Sequence, residues 1–205
     1  MERFTKLFCE LDQTTRTNEK VAALEHYFRQ VPPEDAAWAL QFLSGRIPKR
    51  VVPSRSLWDW AAVECDLPSW LMDECYDSVG DFAETIALLL PDSSTGTNLP
   101  LSGIVQERLL PLRELPDVSR RQLLVQTWRE LSSAQRLVWN KLITGEFRVG
   151  VARTLVIRAL ANVAGIDPAI MAHRVMGKWQ PTAEDFARIM RAETGENETA
   201  RPYPF

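Results

Sequence analysis

Apolar residues recur along this chain at three- and four-residue intervals, so nearly every segment reads as helix. Phe4, Leu7, Phe8 and Leu11 share one face of a first helix, and a polar turn, Thr14 to Thr17, separates it from a second carrying Val21, Leu24 and Phe28. Pro32 and Pro33 stop that helix and open another, with Glu34 and Asp35 in its first turn, Trp38, Phe42 and Leu43 on its apolar face and Gly45 just past its end. After a basic, proline-bounded loop (Arg46 to Pro53), Ser54 is placed to cap a helix through Leu57, Trp58, Ala61 and Val63. A short helix runs from Pro68 to Gly80. Asp81 and Glu84 have capping-box spacing ahead of Ile86 and Leu89.

Residues 91–100, PDSSTGTNLP, read as a flexible surface loop. Beyond it, Ser119 is expected to begin a helix with Leu123, Leu124 and Trp128, and Ser132 or Ser133 the next, with Leu137, Val138 and Leu142. A short loop follows, holding Gly145, Arg148 and Gly150, and feeds a helix through Leu155, Leu160 and Val163 to Gly165. Asp167 and Pro168 start another helix that ends at Gly177, and Thr182 with Asp185 starts the last. The pattern predicts an all-α domain over 1–192, with ten to twelve short helices in two pseudo-symmetric halves, about 1–90 and 101–192. The tail 193–205 has no apolar period and reads as linker.

A shift of one hundred positions pairs Leu24 with Leu124, Phe28 with Trp128, Phe42 with Leu142, Gly45 with Gly145 and Ala61 with Ala161. If the halves share one plan, the loops after Gly45 and Gly145 are equivalent, and both are basic. Two such loops about a pseudo-two-fold could grip a duplex at two places.

Charge alters this picture more by its order than by its sum. The net charge is -3 over 205 residues, yet from Asp59 to Glu107 all ten charged residues are acidic, whereas Arg108 to Lys178 holds twelve bases against five acids. Nineteen of the twenty-four bases are arginine, which suits bidentate phosphate contacts. The loop from Gly145 to Gly150 therefore reads as a phosphate site: two glycines admit close backbone approach, and the N–H groups of Val151 and Ala152 lie at the positive end of a helix dipole. The same residues also read as a C-cap, a loop glycine and solvated arginines.

Other chemistries are thinly represented. Three cysteines form no CxxC pair and two histidines offer no metal cluster, so neither a metal nor catalytic residues are expected. The chain lacks a GxxxxGK[ST] loop, GxSxG, HExxH and a K-x-D-G lysine. It lacks both an apolar run near the roughly 20 residues of a membrane span and a secretory start, so a cytoplasmic monomer without membrane contact is expected.

The segment TGEFRVGVARTLVIRALA (144–161) resembles the G-x-[LF]-R-x-G loop and following helix of the N-terminal DNA-binding domain of ATP-dependent DNA ligases. The opening helices with TTRTNEKVAALEHYF, the segment YDSVGDFAETIALLL (76–90) and the tail RPYPF are similar to further pieces of that domain, in the same order. The resemblance implies an all-helical, pseudo-symmetric domain that lies across the minor groove on both sides of a nick, in DNA repair and replication. ATP and Mg2+ would serve the full-length enzyme and no cofactor this segment. Its partners would be nicked duplex DNA and the enzyme's own nucleotidyltransferase and OB-fold domains, and the length points to a bacterial ligase. The first-half loop, Arg46 to Pro53, departs from the motif.

Carried over residue by residue, the expected DNA contacts are Gly145, Arg148, Gly150 and Arg153, with Thr15, Arg16 and Thr17 from the polar turn; charge and the repeat add Lys20, Lys49 and Arg50. Two rival functions stay open: a protein adaptor using the acidic face 59–107, and a stand-alone DNA-processing hydrolase with a carboxylate base among Asp73, Asp77 and Asp81.

Overall fold

The computed structural model describes residues 1–47, 50–92 and 96–192. Among these there are twelve α-helices and no strand: α1 (Glu2–Gln13), α2 (Thr17–Gln30), α3 (Pro33–Leu43), α4 (Ser54–Cys65), α5 (Ser69–Val79), α6 (Phe82–Leu89), α7 (Leu101–Ile104), α8 (Asp117–Glu130), α9 (Ser133–Thr144), α10 (Arg153–Ala164), α11 (Pro168–Met176) and α12 (Ala183–Met190). Lys49 and the linker 193–205 lie outside the described residues.

The helices divide into two compact units, each built from two stretches of chain: Met1–Phe8 with Ile47–Arg148, and Cys9–Arg46 with the described residues from Val149 on. In the first, α6 packs along α9, and α4 touches α5, α6 and α8. Its core holds Leu57, Met72, Ile86, Trp128 and Trp139. In the second, α2 packs along α10 and α12 along α3. Leu24, Leu40, Phe42, Leu160 and Met171 are buried there, and Phe28 stacks on Phe186 with ring centroids 6.1 Å apart. Each fully buried Leu or Phe side chain contributes about 1.5–3 kcal/mol through lost apolar surface.

The one-hundred-residue repeat is visible in the helix starts: 17 and 117, 33 and 133, 54 and 153, 69 and 168, 82 and 183. Its packing is crossed. The second and third helices of one repeat join the last three of the other, so α6 meets α9 and, correspondingly, α12 meets α3.

Local signals set most boundaries. Asp81 accepts from Glu84 N–H at 2.9 Å, Ser132 and Gln135 form a capping box, and Thr182 accepts from Asp185 N–H at 3.2 Å. Four details differ from the sequence reading. The helix expected at Ser119 begins at Asp117, because Pro116 supplies an extended N-cap. Ser54 opens α4 without capping it, since Pro53 holds the N-cap position. Val63 is exposed, on the side of α4 away from Leu57 and Ala61. In the loop read as flexible, Gln135 holds both backbone groups of Thr97, accepting from its N–H at 3.0 Å and donating to its carbonyl at 3.1 Å.

Candidate nucleic-acid interface

Helices α3 and α9, at matched positions of the repeat, close in the same way. Gly45 (φ 81°) donates to Phe42 O and Arg46 N–H to Gln41 O; Gly145 (φ 74°) donates to Leu142 O and Glu146 N–H to Lys141 O. This is the Schellman arrangement, and a left-handed residue is required at its turn. After the turn the two loops part.

In the first unit, the chain leaving Gly145 alternates. Phe147 turns inward, stacked on Phe4 with centroids 5.6 Å apart and beside Phe8 at 5.5 Å. Arg148 turns outward, exposed, and among the described residues it makes no hydrogen bond or ion pair. Arg50 is half-exposed and faces Glu146 at 3.5 Å, a distance at which an exposed pair contributes little. The backbone beside it is pinned, Val51 N–H donating to Ile143 O at 3.0 Å.

In the second unit, Val149 is buried and Gly150 exposed with φ 59°. Lys20 is only 8% exposed and its ammonium donates to Gly150 O at 2.7 Å. A Cβ on Gly150 would lie 3.3 Å from that nitrogen, so both backbone angle and space favour glycine. Helix α10 begins after Ala152 with no side-chain cap. Arg153 donates from Nε to Ser44 O at 2.9 Å, tying the start of α10 to the end of α3 while the residue remains exposed. Thr15, Arg16 and Thr17 are exposed; Arg16 pairs with Glu19 at 2.9 Å, and Thr14 also donates to Glu19.

Sequence reasoning did not single out Arg46 or Phe147. Arg46 donates to Val175 O at 3.1 Å and Gly177 O at 3.0 Å and lies over the Trp179 ring at 4.6 Å. Desolvation, and then the nearby charge of Arg153, pull its pKa down. Arg46 therefore caps the end of α11 from a distance, which no local pattern encodes. Phe147 did leave a signal, the apolar–basic–apolar run Phe147, Arg148, Val149.

Two of the three carboxylates named for hydrolysis are engaged elsewhere in the first unit. Asp73 accepts from Trp58 Nε1 at 3.1 Å, and Asp81 pairs with Lys141 at 2.6 Å besides capping α6. Burial raises the Asp81 pKa, but Lys141 and the N–H groups of Glu84 and Ala83 outweigh it and leave the carboxyl below its ordinary range.

An all-α chain of two matched helical units, with a glycine-framed basic loop, is the class of domain these features define. The family model of the DNA ligase N terminus matches residues 1–161, and the chain belongs to that family, the N-terminal domain of ATP-dependent DNA ligases. The match holds every candidate residue and ends within α10, ahead of α11 and α12. No curated protein matches the chain. No helix among the described residues is long and apolar enough to cross a membrane alone.

Proposed function

We propose that this chain is the DNA-binding domain of a bacterial ATP-dependent DNA ligase, gripping duplex DNA around a single-strand nick through sequence-independent backbone and minor-groove contacts. The observation that carries the reading is Arg148, exposed and unpaired in a loop whose neighbouring Phe147 is anchored and whose glycines, Gly145 and Gly150, both adopt left-handed backbone. This guanidinium has no internal bond to break before meeting a phosphate, and its fork can bond two oxygens. Arg153, Thr15, Arg16 and Thr17 add exposed polar groups, while Lys20 supports the loop through Gly150 O. Phosphate contacts fix position without reading bases.

In this reading the domain supplies affinity and placement, and sealing belongs to the nucleotidyltransferase and OB-fold domains, which use ATP and Mg2+. The protein acts as a cytoplasmic monomer in repair and replication. Fluorescence-anisotropy titration on nicked and intact duplexes of one sequence, at two salt concentrations, tests it. The expected result is salt-sensitive binding to both, with a log–log slope of roughly -4 to -5 for about five phosphate contacts. Absence of binding at low salt overturns the reading.

A further inference from the structure

The outer face of α5 has no role in the DNA reading. Trp70, Asp73, Glu74 and Asp77 fall at i, i+3, i+4 and i+7, so they form one stripe. Trp70 is 65% exposed, although two positions on, Met72 is fully buried. A two-residue step turns a helix by about 200°, which sets the indole roughly opposite the core-facing side. The three acids are exposed as well. Bases outside the acidic interval reach Glu64 and Asp81, but among the described residues no ion pair reaches these three. Only Asp73 is engaged by a neighbour, through Trp58 Nε1.

The repeat supplies an internal reference. Met72 and Met171 are both fully buried and align α5 with α11. In that register the stripe of α11 reads Ala169, Ala172, His173 and Met176, with no indole and no carboxylate. The helical plan therefore does not require an indole or three acids at these positions. An indole this exposed offers a large apolar area, with a polar edge, for a partner to cover.

We infer that this face of α5 docks a basic, helix-forming segment of another protein, whose Lys or Arg side chains meet Glu74 and Asp77 while an apolar or cationic side chain covers Trp70. Charge complementarity selects this occupant. A cation can bond the carboxylates and lie over the indole face, whereas DNA or an acidic segment would be repelled. Indole rings at the centre of such contacts carry a disproportionate share of the binding energy.

The test is anisotropy of a labelled, Lys/Arg-rich amphipathic helical peptide with the full 205-residue chain, beside a scrambled peptide of equal charge. Wild type is expected to prefer the helical peptide. Trp70→Ala should weaken it at least fivefold and Glu74→Lys with Asp77→Lys more than tenfold, with circular dichroism and DNA affinity unchanged in Trp70→Ala. Equal binding of both peptides, no loss in Trp70→Ala, or no binding at all overturns the inference. Concentration-dependent self-association in sedimentation that Trp70→Ala abolishes would also overturn it, assigning the face to a second copy. Failure here leaves the nick-binding reading intact, since that reading is measured on DNA.

Discussion

At matched positions of the repeat, α9 buries Arg136 and Asn140 where α3 buries Ala36 and Leu40. The first unit fills this part of its core with polar side chains whose bonds are met. Arg136 donates to Trp128 O at 2.6 Å and Leu90 O at 3.1 Å; Asn140 accepts from Trp128 Nε1 at 2.9 Å and donates to Ala83 O at 3.1 Å. The second unit fills the same positions with apolar side chains, Ala36 and Leu40, both fully buried. One helical plan can thus be specified by directional bonds or by packing. The polar version ties α9 to the start of α6 and the end of α8, but every bond in it becomes a liability when one partner is lost.

The largest effects should come from attacking these two cores in turn. Leu40→Ala is expected to destabilise by about 2–5 kcal/mol through lost contacts and a cavity. Asn140→Leu, though it adds apolar surface, should destabilise by about 1–3 kcal/mol because Trp128 Nε1 would be buried without a partner. Urea denaturation measures both. A neutral or stabilising Asn140→Leu would show that the polar core of the first unit is dispensable and that the contrast is one of composition only.

The loops differ in the same spirit, and DNA titration sharpens that difference. Gly150→Val is expected to weaken DNA binding more than any single charge removal. Left-handed backbone is unfavourable for a side-chain-bearing residue by about 1–2 kcal/mol, and the new branch would crowd Lys20. Normal affinity would reduce Gly150 to a spacer. Arg148→Ala should cost about 1–3 kcal/mol of binding with stability unchanged, since the side chain has no partner among the described residues. Unchanged affinity in the folded variant removes Arg148 from the interface.

The smallest effect concerns the caps. Asp81 is charged and paired with Lys141, whereas the matching cap of α12, Thr182, is neutral. Asp81→Asn keeps a capping oxygen and should lose about 1 kcal/mol or less at pH 7, since the carboxylate is partly exposed. The Asp81 pKa is depressed in the fold, so its contribution is full above the ordinary aspartate value of about 3.9 and is lost as pH falls through the folded-state value. The stability gap between wild type and variant should close over that acidic window. A gap that persists below pH 2 would mean the ion pair is not its source.

Much of the fold is written locally. Helix ends are set by residues that touch their own neighbours: Asp81, Ser132 and Thr182 at starts, Gly45, Gly80, Gly145 and Gly165 at left-handed ends. The stretch 101–113 was not legible. There α7 passes into a π-turn at Val105–Leu109 and a 3-10 turn at Pro111–Arg113, and tight or widened turns have no distinctive apolar period. Of the candidate site, the glycines and Arg148 could be read from the loop itself. The placement of Lys20 against Gly150 could not, because the two are separated by 130 residues and lysine spacing carries no information about a distant carbonyl.

The sequence by itself determined that the chain is helical, where most helices start and stop, that they repeat, and which loop holds an arginine between two glycines. Those properties depend on φ/ψ preference, side-chain caps and apolar period, each of which acts within a few residues. Only the tertiary structure decided that the repeats exchange helices, α6 lying on α9 and α12 on α3, and that Arg46, Lys20 and Arg153 are tied to backbone carbonyls while Arg148 is left free. The reason is that an apolar stripe states how much surface a helix must bury but not which partner will bury it. A buried cation must likewise find its acceptors among whatever carbonyls the packing brings near.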